Sequence, residues 1–173
     1  MKPGMQQGHA DGMCGLYAIL SFLAHTEEWR SEEPNTALRY VLDAVQAEGW
    51  LSPYLITTGF ESYQLASILN RLFDNYHMRF RATQLAALKK QSSSEDFFGL
   101  ASRVVAQGCS IIGGPDGRDH WVLVTQSEGR PVVFNSADAK RPMKAFDKRQ
   151  PDYCVKNGVL IMPWARAQVE VDF

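Results

Sequence analysis

The spacing of apolar residues changes along the chain, and that change constrains the fold more than any single motif. Leu38, Val41, Leu42 and Val45 recur at i, i+3, i+4 and i+7. This spacing predicts a helix with one apolar face, Asn35 as its N-cap and Gly49 as its stop. Leu65, Ile68, Leu69 and Leu72 repeat the pattern behind Ser62, a cap residue. Phe97, Leu100, Ala101 and Val104 do so behind Ser93 and Ser94, with Gly108 closing. The run Gly15–Ala24 is apolar on every side, which predicts a buried helix. Strand signals dominate the second half. Tyr76, Met78 and Phe80 alternate with His77, Arg79 and Arg81, which predicts a half-buried strand. "CSIIGG", ended by glycines, "HWVLVTQ", "PVVF" and "GVLIMPW", stopped at Pro163, are β-rich runs, and "SEGR" between the middle two is a turn cluster. Helices followed by strands predict an α+β fold, with the helices packed on an antiparallel sheet.

Such a sheet needs a core, and 173 residues with 45% apolar content can build one. No linker or repeat divides the chain, so residues 1–173 are expected to form a single domain. Eighteen basic residues stand against 19 acidic ones, without a basic block. That balance argues against nucleic acid as a partner and gives no membrane-surface signal. The apolar run Gly15–Ala24 is far shorter than the ~20 residues a membrane span needs. The segment before it is polar and carries Asp11, unlike the n-region of an export signal. A cytoplasmic protein is therefore expected as synthesised, with delivery out of the cell by a signal-independent route left open. Three dispersed cysteines, Cys14, Cys109 and Cys154, make no disulfide framework, although a Cys109–Cys154 bridge stays open. No close-spaced ligand pair points to a metal, and a site built from Cys14, His9 and His120 is a weak rival. No cofactor is implied.

The chemistry centres on Cys14, set between Gly12 and Gly15 where a polar loop becomes an apolar helix. A thiol at a helix N-terminus lies near unpaired N–H groups and the positive end of the dipole, which favour the thiolate. The two glycines would keep bulk from the sulfur, and Gly15 would let a substrate backbone approach. The plain alternative is a buried apolar filler, since free cysteines are among the most buried residues. A thiolate needs a base. His120 begins "HWVLVTQ" directly after the glycine-rich loop "GGPDGRD", where a side chain can face a cleft. His25, at the end of the first helix, reads instead as a solvated cation, and His77 as an outward strand residue. A hairpin around "SEGR" with Thr125 opposite Pro131 would set His120 opposite Ser136. Small shifts of that register bring Asn135 or Asp138 to the imidazole, either of which could accept its N–H. The Cys14 backbone N–H and a side-chain amide from Gln6 or Gln7 are candidate oxyanion donors.

Together "QQGHADGMCGLYA", "DHWVLVTQ" and "VVFNSAD" resemble the papain-like cysteine peptidases, and especially a small bacterial group similar to the peptidases that process leader peptides. "GFESYQLASILNRL" is similar to the helix that follows the nucleophile region in that group. The resemblance covers residues 6 to about 138 and rests on the order Gln, Cys, His, Asn. It implies a papain-like fold and a cysteine hydrolase, a peptidase or isopeptidase, that acts on a peptide or protein substrate through an acyl-enzyme. Cys14 would be the nucleophile, His120 the general base and acid, and Asn135 its orienter, with Asp138 as alternative. Gln7 would donate to the oxyanion, with Gln6 as alternative, although Gln7 stands one residue further upstream than the family's glutamine. Amidases, deamidases and acyltransferases among bacterial effectors share this geometry. So does a peptide-binding module that keeps the scaffold without turnover.

Overall fold

The structure, a computed structural model, describes residues 13–26, 29, 34–53, 58–85, 97–113, 120–136, 143–146 and 158–167. The apolar run forms helix α1, Cys14–His25, with nine of its residues buried. It is apolar all round because it lies inside, between two further helices and a sheet. Its one buried hydroxyl is satisfied locally, since Ser21 Oγ donates to Tyr17 O at 2.8 Å. Helix α2 is Pro34–Ala47 and α3 is Ser62–Asn75, both expected from their periodicity. Their starts differ from expectation. Helix α2 begins at Pro34, so Asn35 lies inside it. Proline is pre-set for a first helical position, because its φ is helical and that N–H has no intrahelical partner anyway. Glu61 rather than Ser62 caps α3, in a capping box in which Gln64 Oε1 accepts the Glu61 N–H at 2.9 Å.

Helices α2 and α3 stop by one device. At the end of α2 the Trp50 N–H bonds Val45 O and the Gly49 N–H bonds Gln46 O, with Gly49 at φ +76. This is a Schellman stop. The same pair of bonds closes α3 around His77, at φ +53. The predicted strand over 76–81 is corrected here: Tyr76 to Met78 close the helix, and strand β1 starts at Phe80 and ends at Gln84. Alternating apolar spacing over so few residues does not distinguish a strand from a helix end.

The remaining elements are α4 (Phe97–Ala106), β2 (Ser110–Gly113), β3 (Val122–Ser127), β4 (Arg130–Phe134), β5 (Met143–Ala145), β6 (Val159–Pro163) and the short α5 (Trp164–Ala167). The strands form one sheet in the order β1-β6-β2-β3-β4-β5, and every pair is antiparallel. The fold is α+β. One face, with Ile112, Leu123, Phe134 and Ile161, packs against α1, α2 and α3. The other, with Ile111, Val124, Val133 and Leu160, packs against α4. Apolar neighbours in one strand thus serve opposite cores, which explains the unbroken apolar runs in the sequence. Strand β5, with Lys144 and only three residues, carries too little pattern to be seen beforehand. Among the described residues, no helix is long and apolar enough to cross a membrane.

Two side chains join layers. Asn70 on α3 donates to Ala82 O at 2.9 Å and accepts from the Ala82 N–H at 2.8 Å. It takes the place of a missing strand neighbour at the β1 edge. Asn70→Ala leaves both groups of buried Ala82 unpaired, so it should lower stability by about 1–3 kcal/mol in urea unfolding. Glu48, just past α2, accepts from the Ser67 hydroxyl at 2.8 Å and pairs with Arg71, tying α2 to α3. The Ser67 bond, then the Arg71 bond, hold its carboxyl below the ordinary 4.5. A lowered folded pKa stabilises above the unfolded value, and that stabilisation is lost as pH falls through the folded value. The gap in urea midpoint between wild type and Glu48→Gln should therefore be open at about pH 7 and narrow as pH falls below the ordinary 4.5.

Candidate active site

The site begins with how α1 lies on the sheet. At its C-terminal end the His25 Nε2–H donates to Gln126 O at 2.9 Å, and the ring stands edge-on to Phe134 at 5.4 Å. His25 is therefore a half-buried tether rather than the freely solvated residue expected from its position. At the N-terminal end, a Cβ built on Gly15 would lie 3.4 Å from Trp121 Cδ1 and 2.8 Å from Leu65 Cδ2. Cys14 to His25 spans roughly 16 Å of helix, and Trp121 to Gln126 roughly 17 Å of strand. The lengths match, so α1 runs along β3 with its start beside the strand mouth. The expected role of Gly15 changes accordingly. It is buried, and its missing side chain makes room for Leu65 and Trp121, not for a substrate backbone.

Cys14 is the first residue of α1 and is 3% exposed. Met13 supplies no side-chain cap, and the first turn carries no acidic residue. The positive end of the helix is not offset by a carboxylate in that turn. Cys109 is equally buried at 3% but follows α4, its N–H closing the helix stop on Val104 O. The two thiols thus stand at opposite poles of helices with the same exposure.

His120 lies two residues before β3, and Asn135 directly follows β4. The hairpin joining them has the two-residue turn Glu128–Gly129, both at positive φ, as a type I′ turn requires. Gln126 therefore faces Pro131, and the expected Thr125–Pro131 register is displaced by one residue. The buried pair Ser110 Oγ and Thr125 Oγ1, 2.7 Å apart, links β3 to β2 on its other side. Continuing the observed register places Asn135 beside Val122, one diagonal step from His120. Diagonal neighbours are within reach of long side chains. His120 Nε2 lies 2.8 Å from Asn135 Oδ1. An amide oxygen only accepts, so Nε2 carries the proton and Nδ1 is left as the basic nitrogen.

The structure brings His120 and Asn135 together and sets their strand mouth against the start of the Cys14 helix. Gln6, Gln7, His9, Asp138 and Cys154 lie outside the described residues. Sequence reasoning missed Trp121, whose Nε1–H donates to Phe60 O at 2.9 Å. The signal was present, because a half-buried indole needs an acceptor for its N–H. A cleft of about 760 Å³ opens at the other end of α3, lined by Phe73, His77, Arg79 and Trp164 among others. It includes none of Cys14, His120 and Asn135. No protein-family model matches the chain, and no curated protein matches it.

The ring orientation has a direct readout. Imidazole nitrogen shifts should show the Nε2–H tautomer of neutral His120 dominant in wild type. Asn135→Ala should give a mixture of tautomers, because nothing else of that hydrogen-bond pair then selects Nε2–H.

Proposed function

We propose that the protein is a cysteine hydrolase, a peptidase or isopeptidase, working through Cys14, His120 and Asn135. The hydrogen bond between His120 and Asn135 carries this reading, because it commits one ring nitrogen and leaves the other to handle a proton. His120 Nδ1 takes the Cys14 Sγ proton, and the thiolate attacks a carbonyl carbon. The C–N bond breaks, His120 returns the proton to the leaving amine, and a thioester remains on Cys14. Water, deprotonated by His120, then attacks the thioester, and the acid leaves as Sγ recovers its proton. The Cys14 backbone N–H and the Gln7 or Gln6 amide are the proposed donors to the developing oxyanion. A papain-like scaffold is part of this reading, supported by the order of the motifs and by α1 lying along the His-bearing strand. The same steps serve an amidase, a deamidase or an acyltransferase acting as a bacterial effector, with a different carbonyl or a different acceptor than water.

The burial of Cys14 favours a second reading, a peptide-binding module that keeps this scaffold without turnover. Alkylation separates the two. Cys14 and Cys109 are equally buried, so exposure alone predicts equal labelling. The hydrolase reading predicts that iodoacetamide at about pH 6 modifies Cys14 first, with Cys109 and Cys154 lagging. Preferential labelling of Cys109 or Cys154, read by peptide mass spectrometry, would overturn it. On a substrate found from peptide and peptidoglycan-fragment libraries, Cys14→Ala should abolish turnover. His120→Ala should lower it about 10²–10⁴-fold.

A further inference from the structure

We infer that Trp121 is a positioning residue: its indole, bonded to Phe60 and seated against Gly15, fixes His120 relative to Cys14. This rests on the hydrolase reading. His120 and Asn135 both belong to the β3–β4 hairpin. Their hydrogen bond orients the ring but moves with the hairpin, so it cannot set the distance from the imidazole to α1. That distance depends on what ties the hairpin to α1. At the far end the tether is His25 on Gln126 O. At the site end it is Trp121, the residue after His120.

The indole meets two segments besides its own hairpin. Its N–H reaches the Phe60 carbonyl at 2.9 Å, just before the α3 cap. That carbonyl is well anchored: Phe60 is 5% exposed, and the next residue, Glu61, is held by Gln64. One ring edge lies beside Gly15, the residue after Cys14, where a Cβ would meet Trp121 Cδ1 at 3.4 Å. Through the same glycine, Leu65 of α3 packs on α1. The start of α1 and the segment before α3 thus converge on the side chain next to His120, and Gly15, one of its neighbours, adjoins Cys14.

The test reads the pH profile of Cys14 alkylation by iodoacetamide in the full chain. A thiol paired with His120 reacts well below the ordinary thiol pKa of about 8.5. Trp121→Phe and Trp121→Tyr keep an aromatic ring against Gly15 and lack the indole N–H. The folded variant of the two, as judged by circular dichroism, is the one compared. The expected result is at least a tenfold slower reaction at about pH 6, with the rate at about pH 9.5 unchanged. A profile that matches wild type, or equal changes at both pH values, overturns the positioning role and assigns Trp121 to packing alone. An ordinary thiol profile in wild type overturns the hydrolase reading itself, and the inference with it.

Discussion

Helix α1 lying along β3 is the constraint on which the rest of the molecule depends. The helix can occupy that place because it has no polar face to keep wet, and its buried Ser21 satisfies itself on the preceding turn. Burying a Leu, Ile or Phe side chain is worth about 1.5–3 kcal/mol, and Leu16, Ile19, Leu20, Phe22 and Leu23 all contribute. With α1 fixed in the middle of the core, α2 and α3 have a surface to cover, and one face of the sheet has a partner. The tethers at Gly15 and His25 then fix how far the helix can slide along the strand. A slide of one residue would move Cys14 by about 1.5 Å, a distance that matters when reacting atoms must meet at hydrogen-bond range.

The sheet supplies the stiffness that such placement needs. Its central strands β6, β2 and β3 are covered on both faces, and its two edges are handled differently. Strand β1 is closed by the Asn70 side chain, and β5 is only three residues long. Both devices limit an edge as a template for further pairing. The β3–β4 hairpin lies towards the β5 side but is braced by Ser110 on Thr125 and by its own two-residue turn. His120 and Asn135 therefore project from the ends of paired strands, which hold a geometry better than long loops do.

Much of this was legible in the residues. The periods of α2, α3 and α4 and the apolar runs of β2, β3, β4 and β6 are properties of local spacing, and local spacing survives in the fold. What failed was decided by single contacts. The α3 cap passed to Glu61 because Gln64 could reach back, and the end of α3 took Tyr76 to Met78 from a predicted strand because His77 tolerates positive φ. The register moved by one residue because Glu128 and Gly129 close a tighter turn than assumed. The site followed the same rule. Residue type and order pointed to Cys14, His120 and Asn135, the groups that the proposed chemistry needs. Trp121 on Phe60, a contact across 61 residues, had no local trace except an indole in need of an acceptor.

The identity of the third residue has a consequence for how the proposed reaction is driven. Asn135 is neutral, so its bond to His120 orients the ring without placing negative charge behind it. A carboxylate there would favour the imidazolium and raise the ring's proton affinity. An amide gives far less of that help. Proton transfer from Sγ to Nδ1 must then be favoured mainly from the sulfur side, by the start of α1 and by the attraction between thiolate and imidazolium. The first contribution matches the sequence of α1, which has no acidic residue in its first turn. The second falls with distance as charges do. A Cys–His–Asn arrangement is for this reason more sensitive to the separation of its two segments than one with a carboxylate. On the proposed reading, the packing at Gly15, which lacks a side chain and has Trp121 and Leu65 beside it, serves the same chemical requirement as the thiol and the imidazole.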